Sequence, residues 1–288
     1  MEAATKRICV KAYAKINLTL DILGKREDGY HDLAMVMQTL SLHDDVELKL
    51  DGGEGIRCYV EGAELAGDGT NLAVKAAKAY CAAADMAPEG IAIAITKRIP
   101  MAAGMAGGSA DAAATLRGLE TLLGKLGEAR LYDVGASVGS DVPFCLMGGT
   151  ALAEGRGERL TALKAAPKMP VVVCKPAFPI STPVLFKRSD NTVITKRPDT
   201  AAMLRAIETG DAAAVCANVC NVFEEALEEE RAEVMAIKET LLRCGAMAAQ
   251  MTGSGPTVFG LFKDLEQAET ACRMLSERYA ETYLSEFV

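Results

Sequence analysis

Rings and imidazoles are scarce in this chain: 5% of its 288 residues are aromatic, there is no tryptophan, and His31 and His43 are the only histidines. Neither histidine is near Cys216 and Cys220, the one cysteine pair spaced a helical turn apart, so these thiols read as small buried residues rather than half a metal site. The nine cysteines are odd in number and include no C-x-x-C, which argues for reduced thiols in a cytoplasm rather than a disulfide frame. No apolar run is long enough to span a bilayer, and Met1 to Val10 carries no basic, apolar, small-residue leader, so a soluble, unexported protein is expected. Positive charge is also in deficit. A net charge of −8 and a pI near 5.0 disfavour nucleic acid or an anionic membrane as the main partner. A phosphate ligand would need local cations, which Lys15, Lys25-Arg26 and Lys97-Arg98 offer, though each is equally open to reading as a solvated surface charge.

What the chain does have is a concentration of small residues. The stretch Pro100-Met101-Ala102-Ala103-Gly104-Met105-Ala106-Gly107-Gly108-Ser109 follows an alternating apolar run and opens into an alanine-rich one. Its glycines mark the passage from a strand to a helix that Ser109 is expected to cap. Backbone amides exposed at such a passage, with the helix dipole behind them, favour an anion. No Lys-Ser or Lys-Thr pair follows, so this is not a P-loop, and the G-x-G-x-x-G spacing is absent too. The competing reading is a tight turn whose glycines only permit close packing. Chemistry alone favours a phosphate site and names no substrate.

The length suits two lobes better than one core, and we divide it into domains 1–160 and 161–288. In the first, short strands are predicted at Ile8 to Ala12, then Ala14 to Leu20 with Lys15, Asn17 and Thr19 on one face. A turn at Gly24 to Gly29 leads through Tyr30-His31 into the apolar run Leu33 to Leu42, as in a hairpin. Further strands are expected at Val46 to Leu50 and Ile56 to Val60. Asn71 caps a helix reaching Ala84, a strand with Ile91, Ile93 and Ile95 delivers Lys97-Arg98 to the glycine stretch, and a helix covers Ser109 to Leu123. Another helix at Glu128 to Val138 ends in Gly139-Ser140-Asp141-Val142-Pro143, where Asp141 is either a turn-stabilising carboxylate or a functional acid. Strands at Phe144 to Met147 and Thr150 to Ala153 close the lobe. In the second domain a strand at Val171 to Cys174, a short helix around Val184 to Phe186, and helices at Glu208 to Leu227 and Glu229 to Cys244 are predicted, with the acidic run Glu224 to Glu233 as a solvated face. A second glycine turn, Thr252-Gly253-Ser254-Gly255-Pro256, sits between strands, and a helix from Leu265 to Tyr279 precedes a last short strand.

Three motifs stand in order: Ala14-Lys15-Ile16-Asn17, Pro100 to Ala113, and Met251 to Thr257. In that order and spacing they resemble the GHMP kinase superfamily, whose phosphate loop is P-x-x-x-G-L-G-x-S-S-x-A-A. The chain departs from that loop at Met105-Ala106, which replaces Leu-Gly, and at Ala110, which replaces the second serine. Ala106 removes a glycine's freedom, and Ala110 removes a hydroxyl. The segments Gly24 to His31, Asn71-Leu72, Gly139 to Pro143 and Ser181-Thr182-Pro183-Val184-Leu185-Phe186 are similar to the superfamily branch that acts on a cytidylyl-methylerythritol acceptor.

The resemblance implies an α+β fold with a ribosomal-protein-S5-domain-2-like N-terminal lobe, a ferredoxin-like C-terminal lobe, and the active site in the cleft between them. It implies an ATP- and Mg²⁺-dependent kinase working on a small alcohol, as a monomer or homodimer. Asp141 would be the base, Lys15 would lie beside it, and Asn17 would orient the acceptor. Tyr30 and Phe186 would sandwich the cytosine while His31 reads its edge and Thr182 lines the same end. Asn71 and Lys97 match positions near the adenine, and Pro100 to Ser109 would cradle the ATP phosphates. Asp111 is left out of any metal site, because an acid in the first helical turn is favourable by itself. Alternatives are another GHMP kinase with a different alcohol, or a module that binds ATP without turnover.

Overall fold

The segment from Lys6 to Ile22 contains neither proline nor glycine, and in the computed structural model, which describes residues 6–62 and 68–288, it runs uninterrupted through one strand, β1 (Lys6–Lys25). The first five residues of the leader reading lie outside the described ones. A turn follows with Gly29 at φ +83° and the Arg26 amide donating to the Tyr30 carbonyl at 2.8 Å. It returns the chain as β2 (His31–Leu50), again one strand where two short ones were expected. Then come β3 (Ile56–Glu61), α1 (Leu72–Ala83), β4 (Ile91–Thr96), α2 (Gly107–Leu123), α3 (Glu128–Val138) and α4 (Val142–Met147). The chain continues with β5 (Thr150–Gly155), β6 (Arg159–Ala162), β7 (Pro170–Lys175), α5 (Thr182–Ser189), α6 (Thr200–Thr209), α7 (Ala212–Ala217) and β8 (Cys220–Asn221). After a 3₁₀ turn at Val222–Ala226 come α8 (Arg231–Arg243), β9 (Ala248–Met251), β10 (Val258–Leu261), α9 (Leu265–Ser276) and β11 (Glu281–Glu286).

Several expectations change. Phe144 to Met147 is helical, with Pro143 in the first turn of α4, where a missing N–H does no harm. The span Glu208 to Leu227 is broken: Gly210 takes a left-handed φ of +70° to end α6, and the Asp211 side chain accepts from the Ala214 amide to start α7. Helix α2 begins two residues before Ser109. Its N-cap is Ala106 at φ +59°, with no side-chain capping bond, and Ser109 lies inside the helix. The acidic run is partnered rather than simply solvated: Glu224 accepts from the Met251 amide at 2.8 Å and Glu230 from Arg188 at 2.9 Å.

The described chain forms two compact units that interleave in sequence, whereas the division at residue 160 is a single cut. One comprises the described residues of Met1–Ala14, His43–Ile99 and Ala106–Met147; the other comprises Lys15–Leu42, Pro100–Met105 and Gly148–Val288. In the first, β3 runs parallel to β4, and β4 runs antiparallel to Asp45–Leu50 of β2. Helix α2 carries Gly118 toward β2, where a Cβ would stand 2.2 Å from Leu48 Cδ1; the missing side chain is what lets helix and sheet approach.

In the second unit, Leu33–Gln38 pairs antiparallel with β5, β5 with β6, and β8 lies parallel to β1 with Thr19 opposite Cys220. A separate antiparallel sheet has the order β11-β7-β10-β9, with α8 between β7 and β9 in the chain and α9 between β10 and β11. That strand order is the ferredoxin-like one. Its centre is Val171, Val172, Val173, Phe259 and Leu261, all fully buried. Among the described residues no helix is long and apolar enough to cross a membrane. The nine cysteines are free thiols, Cys216 and Cys220 being buried.

Candidate active site

Lys15, Asn17 and Thr19 alternate along β1 as predicted, and all three side chains point inward. An ammonium that is only 4% exposed requires partners. Lys15 Nζ donates to Asn17 Oδ1 at 2.7 Å and to the Gly104 carbonyl at 2.8 Å. Its backbone amide donates to the Met105 carbonyl at 3.2 Å, so main chain and side chain both hold the glycine stretch. Both side-chain partners are neutral oxygens. The charge is solvated but not cancelled.

The second glycine turn packs against the first, backbone to backbone. Gly104 has φ +71°, and a Cβ there would be 2.3 Å from the Thr252 carbonyl oxygen. Gly253, at φ +57°, would place a Cβ 2.9 Å from the Gly104 carbonyl oxygen. Glycine is required at both positions for conformation and for space. Thr252, fully buried, accepts the Asn17 amide on Oγ1 at 2.9 Å, and Asn221 Nδ2 donates to the carbonyls of Met251 and Gly253 at 2.8 and 2.9 Å. Sequence reasoning passed over Asn221. The available signal was a lone amide in the apolar run Val219 to Phe223.

A second lysine is buried quite differently. Lys97 Nζ lies 2.5 Å from Asp44 Oδ2 and 2.7 Å from Asp111 Oδ2. Asp44 Oδ1 also accepts the Arg98 and Ile99 amides. Asp111 is thus a buried partner of Lys97, beyond the first turn of a helix that opens at Gly107. Burial pushes its carboxyl up to about 7, opposed by Lys97 and reinforced by the Asp44 charge. Among the described residues its Oδ1 has no hydrogen-bond partner. Lys97 Nζ lies beneath the start of α2, 3.3 Å from where a Cβ on Gly107 would stand. Gly108 faces Leu72, next to Asn71, whose Oδ1 caps α1 by accepting the Ala73 amide at 2.9 Å. With no side chain capping α2, its first-turn amides remain for an anion. These residues fit the phosphates of a nucleotide.

Asp141 is half-buried in the turn before α4, where its carbonyl accepts the Cys145 amide at 3.0 Å. His31 stacks on Phe186 with ring centroids 4.7 Å apart, and its Nε2 lies 2.6 Å from Asp190 Oδ1. Lys25 holds the other Asp190 oxygen at 2.6 Å; first Lys25 and then His31 lower the Asp190 carboxyl below the usual range. Phe186 meets Phe223 edge-on at 4.9 Å. Tyr30 is 56% exposed, with the Arg156 guanidinium 4.4 Å from its ring centre. Thr182 bonds Ser254 at 2.6 Å, which brings α5 to the second glycine turn. The second unit therefore gathers Lys15, Asn17 and Gly104 in one cluster and His31 with Phe186 in another, while Asn71, Lys97 and Gly107 to Ser109 belong with Asp141 to the first unit.

A glycine loop that opens an uncapped helix, with a buried lysine on its carbonyl, describes a phosphoryl-transfer enzyme of non-Walker type. The model of the GHMP kinase N-terminal domain matches residues 71–149, and that of the GHMP kinase C-terminal domain matches residues 203–281. A 4-diphosphocytidyl-2-C-methyl-D-erythritol kinase of Clostridium tetani is 43% identical over 280 residues, covering 97% of this chain and 99% of that protein. One of the same name from Geobacillus thermodenitrificans is 48% identical, covering 89% of each chain. A crystal structure of 4-(cytidine 5'-diphospho)-2C-methyl-D-erythritol kinase superposes with a TM-score of 0.82 at 30% identity, covering 97% of this chain and 99% of that one. The chain belongs to the GHMP kinases and, within them, to the 4-diphosphocytidyl-2-C-methyl-D-erythritol kinase family. A homoserine kinase from Cytophaga hutchinsonii, at 18% identity and a TM-score of 0.74, shares the fold.

Proposed function

We infer that this protein transfers the γ-phosphoryl group of ATP to the C2 hydroxyl of 4-diphosphocytidyl-2-C-methyl-D-erythritol, a step in non-mevalonate isoprenoid precursor synthesis. The observation that carries the mechanism is Lys15, an interior ammonium held at the glycine loop, among the described residues, by neutral oxygens alone. Such a charge is available to the transferring phosphoryl group. Asp141 takes the hydroxyl proton as the new P–O bond forms, and ADP leaves with the electrons of the bond that breaks. Asn17 orients Lys15 and the acceptor.

Pro100 to Ser109 hold the ATP phosphates with the first-turn amides of α2, and Lys97, paired with Asp44 and Asp111, supports the start of that helix from beneath Gly107. Asn71 lies at the nucleotide end, beside Gly108. Mg²⁺ belongs to the proposal as the companion of the ATP phosphates, whose negative charge it shares; among the described residues no group of three or more His, Cys, Asp or Glu side chains forms a ready cage for it. Tyr30 and Phe186 offer ring faces to the cytosine, with His31 and Thr182 beside them. The matched family segments fall on either side of residue 160, which supports the two-domain division. Free thiols support a cytoplasmic setting.

The test is incubation of the protein with Mg-ATP and the cytidylyl alcohol, followed by detection of ADP and a monophosphorylated product. Turnover is expected with that acceptor and not with homoserine, galactose or mevalonate. Equal turnover of one of these controls would reassign the substrate, and ATP binding without ADP release would reduce the protein to a nucleotide-binding module.

A further inference from the structure

Resting on the reading of Lys15 as the charge at the γ-phosphoryl group, we propose that Thr252 and Asn221 are positioning residues for Lys15. An ammonium has three N–H donors, and two are taken by Asn17 Oδ1 and the Gly104 carbonyl. The direction of the third is therefore set by where those two oxygens stand. Each is fixed from the second glycine turn.

The first route runs through Thr252. Its hydroxyl oxygen accepts the Asn17 amide at 2.9 Å and lies 3.4 Å from Asn17 Oδ1, the same oxygen that takes Lys15. Asn17 Nδ2 is held in turn by Met35 Sδ at 3.4 Å, which fixes the orientation of the amide. The second route runs through Asn221. Its Nδ2 donates to Met251 and Gly253, and its Oδ1 accepts the Phe223 amide at 3.1 Å. Gly253 lies against the Gly104 carbonyl, so a shift of the turn moves the second oxygen on Lys15. Asn221 is 3% exposed and has its donors and acceptor satisfied inside the protein. It also stands opposite Leu20 on β1, so strand and turn share one reference point.

Thr252→Val keeps the shape of the side chain and removes the hydroxyl. It is expected to lower kcat roughly tenfold to a hundredfold, the range for misplacing a group on the reacting centre. KM for ATP and for the acceptor should stay within about twofold, because no binding group is removed. Thr252→Ser, which keeps the hydroxyl, should recover most of the lost kcat. The decisive measurement is the same substitution in a Lys15→Ala background, where it should change the residual rate by less than about twofold. A general loosening of the fold would act equally with or without Lys15. Should Thr252→Val fail to fold, Asn221→Ala is read in the same way, in both backgrounds.

Wild-type kcat in both Thr252→Val and Asn221→Ala, or a full loss repeated on top of Lys15→Ala, would overturn the proposal. Wild-type kcat in Lys15→Ala alone would instead overturn the role of Lys15, and the positioning role with it.

Discussion

Lys15 and Lys97 are both buried, and the difference between them lies in their partners. Lys97 sits between two carboxylates, Asp44 and Asp111, whereas Lys15 rests on an amide oxygen and a backbone carbonyl. In a medium of low dielectric a carboxylate cancels an ammonium, while neutral oxygens only replace its water. The first arrangement builds a floor for the start of α2. The second keeps a positive charge available for chemistry.

Substituting each lysine by methionine is the strongest way to break this contrast. Lys97→Met leaves two buried carboxylates facing each other and should destabilise the fold by about 3–5 kcal/mol, read from urea unfolding. Lys15→Met strands only neutral oxygens and should cost about 1–3 kcal/mol of stability. Its turnover should fall roughly a hundredfold or more, the scale for losing one donor to a developing charge. If Lys97→Met proved as stable as the wild type, or Lys15→Met as active, the two lysines would not have separate roles.

The sequence showed where these lysines lie but not how they differ. Lys15 was legible because Lys15, Asn17 and Thr19 alternate on a strand and precede the two glycine turns in a recognisable order. Asn71 as a cap, the alternation of Ile91, Ile93 and Ile95, and α3 were also local signals, and the structure carries them. The pairing of Lys97 with Asp44 joins positions 53 residues apart, and nothing in the spacing of charges announces it. Asp111 counts as a helix-dipole residue only if the helix starts at Ser109, two residues later than it does. The start depends on Ala106 adopting a left-handed φ, which alanine does not advertise. The break at Gly210-Asp211, by contrast, was a stop-and-start signal present in the sequence and overridden by a continuous helical pattern.

The Lys97 side of the contrast is sharpened by pH. Asp111, with a carboxyl moved from 3.8 up to about 7, keeps its proton in the folded protein over a range where the unfolded chain has released it. The unfolded state binds fewer protons there, so the Asp111 contribution makes stability fall as pH rises from about 4 to about 7 and then level off. The neighbouring Asp44 carboxylate favours the protonated form, which can donate to it where a second carboxylate could only repel. Asp111→Asn is neutral at every pH and should flatten that part of the profile, measured as urea midpoints at roughly pH 5 and 8. A variant that falls as steeply as the wild type over this window would show Asp111 to be fully ionised against Lys97 throughout.

The smallest effect belongs to the residue that separates the two arrangements in the chain. Ala106 lies between Gly104, whose carbonyl takes Lys15, and Gly107, under which Lys97 lies, and it holds φ +59° as the N-cap of α2. A left-handed conformation costs an L-residue about 1–2 kcal/mol, and glycine escapes that penalty. Glycine also gives back about 0.4–1 kcal/mol through the greater freedom of the unfolded chain. Ala106→Gly should therefore stabilise the protein by about half a kcal/mol, visible as a small rise in Tm. Its effect on the two lysines should be unequal. The Gly104 carbonyl is pinned by the second glycine turn, whereas the start of α2 has no side-chain cap, so a freer residue 106 loosens the Lys97 end of the loop. KM for ATP should rise slightly while kcat at saturation holds; a fall in kcat with unchanged KM would place the rigidity of Ala106 on the Lys15 side instead.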